Sequence, residues 1–443
     1  MIVLHILLGI LYIGVPLFFV MYYRTYRISN QDDKYFFGIG FLLKILGATA
    51  AVLIYVFYYG GGDTTEYGQS GKLLLEYLSY NPDQLLNILL LSDLNGYNEL
   101  SFLNYNVRFD YWYSKPTYTL SKIALILNAF TLNSFYLTSV LCSYFSFFCS
   151  WKFYRFFLDH SHLDRKSIGY AIFFMPSVVF WGSGLFKDTF TLGGLYLLIV
   201  GFVNFFGYNK FKLSNILYMI VGVYFLYSIR SFFLMASLPF LLLWVISLKY
   251  NSIPSLTFRI LLMPIFILMT GISLFLIQRT LLQTFQELSF EKLVDTSKGF
   301  QSWHTTLKGS AYSLGEIDYT TKALLGKIPA SIVVTFYRPF IWEAGKPIIL
   351  LSALQSLFFL CITIYMIFKM RFIYFLSAFF SSPQAIALMG FSLFYGMVVG
   401  FTSYNFGALD RYKIPCLSTY ILALIFTLEK YKMNHSNKYS TNG

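Results

Sequence analysis

The stretch FLLKILGATAAVLIYVFYYGGGDTTEY, residues 41–67, decides the fold class. Its apolar run reaches back to residue 35 and is long enough to cross a bilayer as a helix. A single cation, Lys44, interrupts it. Tyr58 and Tyr59 stand where an aromatic interface belt belongs. Gly60, Gly61 and Gly62 then permit a tight exit, and Asp63, Thr64, Thr65, Glu66 and Tyr67 follow. A greasy helix therefore ends in a glycine-hinged, carboxylate-bearing segment at the membrane surface.

The remainder of the chain agrees with a membrane setting. Of its 443 residues, 57% are hydrophobic, 21% aromatic and only 12% charged, with a mean hydropathy of +0.61. Soluble domains carry about 25% charged residues, so this composition requires lipid as part of its solvent and predicts an all-α, polytopic transmembrane helix bundle. Apolar runs predict eleven spans, near 2–22, 35–59, 133–157, 168–184, 189–207, 214–229, 231–248, 257–277, 347–368, 384–402 and 414–428. Runs 118–131 and 372–382 are shorter and read as re-entrant or interfacial segments. The first run lacks a basic start and a small-residue cleavage site, so it reads as a retained helix. Cys142, Cys149, Cys361 and Cys416 all fall in apolar runs and read as packing residues.

Lys and Arg sort the loops. YRTYRISNQDDK, LDHSHLDRKS, YNKFKLSN, KYNS, KMR and the tail 429–443 are basic, which places them in the cytoplasm and the N-terminus outside. The net charge of +13 is thus a topological collar and gives no reason to invoke nucleic acid. Two long segments, 60–117 and 278–346, fall on the outer face of a single integral membrane domain spanning 1–443. Interfacial helices are expected after Asp63 and over about 320–337.

Four stretches carry residues suited to chemistry. Asp63 reads either as a helix N-cap or as a general base beside the membrane, with Glu66 a turn later as its partner or as a solvated face. In MPSVVFWGSGLFKDTFTLGGL, 175–195, Pro176, Gly182 and Gly184 break the helical pattern. Lys187 and Asp188 are either a local ion pair or a phosphate holder and its orienter; GSGLFKD lacks the Gly-Lys-Ser/Thr order of a nucleotide loop. Arg230, between two short spans, reads as a phosphate ligand or as a snorkelling cation. Lys44 is expected to pair with a carboxylate or line a cavity. Further on, Arg338 and Glu343 in FYRPFIWEA pair with each other or meet an anion, and GALDRYKIP, 407–415, clusters Asp410, Arg411 and Lys413 as anchors or ligands. His304 reads as a solvated loop residue; the five histidines form no catalytic or zinc pattern. Nothing in the sequence requires a cofactor, and a divalent metal is left open.

GGDTTEY in a first outer loop resembles the membrane glycosyltransferases of the GT-C superfamily, and RYKIP at the start of the last span is similar to an Arg-Tyr-x-x-Pro element common near the end of such chains. PSVVFWGSGLFKD, GSAYSLG and RPFIWEA resemble a family of integral membrane proteins associated with bacterial surface-polysaccharide synthesis. The resemblance implies a GT-C-like bundle in the bacterial inner membrane. It also implies Asp63, less securely Glu66, as catalytic base, a polyprenyl-phosphate-linked sugar as donor and a glycan acceptor. Lys187, Arg230, Arg338 and Arg411 would face the lipid phosphate, with Asp188 and Glu343 beside them. Two sizeable outer loops are also similar to Wzy-type repeat-unit polymerases, which use outer-loop arginines. A lipid-linked oligosaccharide flippase is the non-enzyme alternative, and no internal repeat supports it.

Overall fold

The computed structural model describes residues 8–91, 110–251, 312–314, 321–345 and 347–440. The expected span 257–277, His304 and the stretch around GSAYSLG up to residue 311 lie outside the described residues, as does much of segment 278–346. What is described is helical, and no strand occurs among the described residues. Among the described residues, six helices are long and apolar enough to cross a membrane: Gln31–Tyr58, Lys187–Gly207, Leu213–Tyr250, Ile349–Met370, Pro383–Thr402 and Ile414–His435. A seventh is obtained if Lys115–Thr131 and Phe135–His160, bent by 112°, form one broken span. These apolar helices are the mark of a membrane protein.

In chain order the helices are α1 (Val15–Arg27), α2 (Gln31–Leu53, continued by a π-turn over Ile54–Tyr58), α3 (Asp63–Tyr80), α4 (Leu85–Leu90), α5 (Lys115–Thr131), α6 (Phe135–His160), α7 (Arg165–Phe173), α8 (Pro176–Trp181), α9 (Lys187–Phe202), α10 (Leu213–Asn251), α11 (Thr321–Tyr337), α12 (Pro347–Met370), α13 (Phe372–Phe380), α14 (Pro383–Thr402), α15 (Phe406–Tyr412) and α16 (Ile414–Ser440). The run at 168–184 is not one helix: α7 ends before Pro176 and α8 is a single short turn, because proline cannot continue the preceding ladder. The runs 214–229 and 231–248 are two helical segments that meet at a kink at Arg230, where φ is −149° and ψ is 80°. The tail from residue 429 continues α16 as helix to Ser440. Cys361 is exposed, whereas the other three cysteines are buried.

The chain divides into two compact units. The first comprises Met1–Phe156, Val178–Leu197 and Val221–Ser231. Here α2 packs its aromatic face on α6, with Phe37 against Trp151 at 4.8 Å and Phe41 stacked on Tyr144 at 5.2 Å. Asn30 caps α2 by accepting from the Asp32 and Asp33 amides. Asp33, 2% exposed, accepts from Tyr154 Oη (2.8 Å) and pairs with Arg155 (3.0 Å). Helices α3 and α5 approach closely: a Cβ on Gly71 would lie 2.5 Å from the Leu125 nitrogen. Ser70 donates to Ser121, and Asn128 donates to the Gly68 carbonyl.

The second unit comprises Phe157–Ser177, Leu198–Ile220 and Phe232–Gly443. Its core is the α11–α14–α16 stack. Gly396 and Gly400 of α14 face Phe336, Thr335 and Ser331 of α11. Ser392 and Thr419 hydrogen-bond between α14 and α16 at 2.7 Å. Phe336 stacks on Tyr420, whose hydroxyl meets those of Tyr337 and Thr363.

Candidate functional site

Within the first unit, Gly60, Gly61 and Gly62 all have positive φ, of 69°, 135° and 148°. A side chain is strained at such angles, and a Cβ on Gly62 would lie 2.8 Å from the Tyr55 ring. The reversal starts α3 with Gly62 as its N-cap and Asp63 as its first helical residue. Asp63 is therefore not the cap. Thr65 does that work, its Oγ1 accepting from the Gly62 amide at 2.9 Å and donating to the Gly62 carbonyl at 2.7 Å. The Asp63 carboxylate instead accepts from Tyr111 Oη at 3.2 Å, while sitting in the first turn, where the helix dipole favours an anion. Thr64 pins this start by donating to the Leu185 carbonyl at 2.9 Å.

Tyr67, fully buried, sets its ring edge-on to Tyr111 at 5.5 Å. Lys187 Nζ lies 5.7 Å from the centre of the Tyr67 ring, within cation–π range. Asp188, in the first turn of α9, accepts from Arg230 Nη2 at 2.7 Å. Their side chains are 2% and 18% exposed. Lys115, at the start of α5, sits 3.4 Å above the Tyr227 ring. Asp63, Lys187, Asp188 and Arg230 thus belong to one unit, with half-buried Glu66 one turn along α3. Tyr111 and Lys115 escape the sequence reading; the signal was the aromatic, polar segment DYWYSKP preceding α5. The same unit has an apolar cavity of about 380 Å³ lined by Leu75, Leu78, Leu85, Leu89, Ile126 and Phe130, among others.

Among the described residues, Lys44 finds no carboxylate. It is buried, and its Nζ donates to the carbonyls of Val178 (3.3 Å) and Gly182 (3.1 Å) at the end of α8. Helix C-termini present such unfilled acceptors and favour a cation.

Within the second unit, Arg338 and Glu343 form a bidentate pair. Phe340 N also donates to Glu343 at 2.8 Å. Burial raises the Glu343 carboxyl, but the Arg338 hydrogen bond and the Phe340 amide outweigh it and hold the group below the usual glutamate value. The sign follows: with the folded value depressed, the pair's stabilisation is complete above the ordinary value of about 4.3 and is lost as pH falls through the folded value. Glu343→Gln should remove that dependence, so wild type and variant should converge in unfolding midpoint as the medium is acidified.

Arg338 also lies over the Tyr312 and Phe406 rings, at 5.9 and 5.5 Å. Its carbonyl accepts from Ser356 at 2.9 Å. Asp410 accepts from Ser177 and Ser352, each at 2.7 Å, and stands 3.5 Å from Lys413 Nζ. Lys413 is 1% exposed and reaches Ser356 at 3.2 Å; burial pulls its ammonium below the usual lysine range, and Asp410 opposes the shift. Gln355 accepts from the Ser177 amide at 3.0 Å, while its Nε2 is buried with no acceptor among the described residues. Arg411 is half-buried in the last turn of α15. Ser352, Gln355 and Ser356 escape the sequence reading, although their i, i+3, i+4 spacing on an apolar span marks one polar helix face. No cluster of three or more metal-type ligands occurs among the described residues. No protein-family model, curated protein or solved structure matches the chain, so its chemistry is argued from these contacts alone.

Proposed function

We propose that the protein is a membrane glycosyltransferase that moves a sugar from a polyprenyl-phosphate donor to a lipid-linked or surface glycan acceptor, at the outer face of a bacterial inner membrane. The observation that carries this reading is the Asp63 carboxylate. It stands in the first turn of a helix whose N-cap Gly62 is bonded by Thr65, accepts from the Tyr111 hydroxyl, and shares a unit with Lys187 and Arg230. Asp63 accepts the proton of an acceptor hydroxyl as that oxygen bonds to the anomeric carbon. The bond from that carbon to the phosphate oxygen breaks, and the electron pair leaves with the phosphate. Lys187 and Arg230 neutralise the charge that develops there, with Asp188 orienting Arg230. The apolar cavity beside α3 and α5 suits an isoprenoid tail.

The test is the surface-polysaccharide profile of cells carrying Asp63→Asn, beside a deletion strain and Arg338→Ala, with membrane levels of each variant matched. Asn keeps an oxygen for Tyr111 but is not a base. Transfer should fall roughly 100-fold, the low end for loss of a general base, and the glycan should lack one sugar. Accumulation of a single repeat unit, most marked in Arg338→Ala, would favour a repeat-unit polymerase. A normal profile from Asp63→Asn sinks the assignment.

A further inference from the structure

The second unit contains a cavity that the proposed transfer does not use. It measures about 240 Å³ and is lined by the end of α6 (His160), the following Ser161 and His162, the start of α14 (Ser382, Pro383, Gln384) and α16 (Phe426, Glu429, Lys430, Met433). Basic loops that lie far apart in sequence gather around it. Lys210 Nζ stands 2.8 Å from His160 Nε2, and Tyr208 stacks on the His160 ring at 3.9 Å. Lys249 donates to Asn209 at 2.6 Å, extending the basic surface. Glu429 lies within electrostatic reach of His162, Lys430 and Lys432.

The charges decide what the cavity can hold. Among the lining residues Glu429 and Lys430 cancel, and Lys210, just outside the lining, adds a cation beside His160. An ammonium 2.8 Å from a ring nitrogen donates to it, so His160 carries its proton on Nδ1. The hydroxyls of Ser161 and Ser381 are spent on the Phe157 and Ser377 carbonyls, so the Lys430 ammonium, the His162 imidazole and the Gln384 amide are donor groups in the lining. Small-molecule sites usually occupy about 300–1,000 Å³, so this one suits a group of headgroup size.

We propose that this cavity binds a phosphate group, held by Lys210, Lys430 and the His160 and His162 imidazoles. Its source is either a lipid headgroup or a free phosphate. The proposal is independent of the glycosyl-transfer reading.

The test uses the full chain purified in neutral, phosphate-free detergent, followed by thermal unfolding. One arm titrates inorganic phosphate, one adds micellar phosphatidylglycerol, and the controls are sodium chloride at matched ionic strength and diacylglycerol. A saturable rise in midpoint with phosphate alone identifies a free-phosphate site; a rise with phosphatidylglycerol alone identifies a headgroup site. Either supports the proposal. Lys210→Gln with Lys430→Gln should weaken the response roughly 10–100-fold, as charged hydrogen bonds of this kind imply. If that double variant does not fold, His162→Gln and Lys430→Gln should each weaken it about 10-fold singly. Lys72→Gln, an exposed lysine on α3, should leave it unchanged. No saturable shift in either arm, or equal shifts in wild type and the cavity variants, overturns the site.

Discussion

Arg230→Met should cost about 3–5 kcal/mol of stability, measured as the midpoint of denaturant unfolding of the detergent-solubilised chain. Asp188 is the reason. Its side chain is 2% exposed and accepts from Arg230 at 2.7 Å, so removing the guanidinium leaves a carboxylate in a low-dielectric surrounding without its main counter-charge. Asp188→Asn alone should cost less, because Arg230 is 18% exposed and reaches water. Combining Asp188→Asn with Arg230→Met removes both charges and should recover most of the loss, since a buried ion pair is often replaceable by neutral groups. The cycle separates two roles for the arginine. If Arg230 serves only to neutralise Asp188, the stable double variant keeps its glycan product. If it also meets the donor phosphate, stability returns and the product does not. Equal stability of Arg230→Met and wild type would mean that Asp188 has another adequate partner.

The sequence shows periodicity and punctuation well, and long-range polar partners poorly. Runs 35–59, 189–207, 347–368 and 384–402 correspond to helices because an apolar stretch of that length has few other solutions in lipid. The breaks at Pro176 and Arg230 are equally visible, one from ring geometry and one from a cation that an apolar helix does not bury without a partner. The break between 214–229 and 231–248 falls at Arg230, where the pattern put it, and only the backbone angles there needed the fold. Lys44 drew the expectation of a carboxylate or a cavity, and its acceptors are main-chain carbonyls 134 and 138 residues away. Every residue carries a carbonyl, so no residue type announces that partner. Asp63 was weighed as a cap because acids often cap; a threonine two residues later took that place and changed what the carboxylate is available to do. The polar face of α12 was readable from spacing alone, but its partners Asp410 and Lys413 needed the fold.

Gly400→Leu should abolish folding of the second unit, and Gly400→Ala should cost at least the 1–3 kcal/mol typical of overpacking. In GMVVG, residues 396–400, the two glycines occupy the same face of α14, and lipid supplies no hydrophobic drive for helices to associate. Close backbone approach takes its place. A Cβ on Gly400 would lie 2.2 Å from the Ser331 carbonyl oxygen and 2.8 Å from its carbon. These are main-chain atoms of α11, so no rotamer change relieves the clash. The approach also carries hydrogen bonds: Thr335 donates to the Gly396 carbonyl at 2.6 Å, and Tyr312 Oη donates to the Gly400 carbonyl at 2.8 Å. Separating the helices by the width of a methyl group lengthens the Thr335 bond. The contrast is Gly326 on α11, whose added Cβ would meet nothing within 4 Å. There the same Gly→Ala change only reduces the freedom of the unfolded chain and should raise stability by roughly 0.5–1 kcal/mol. Opposite signs from one chemical change, read as unfolding midpoints in detergent, would tie the stability of this unit to the α11–α14 contact. A neutral Gly400→Ala would mean that these two helices are not held at that separation.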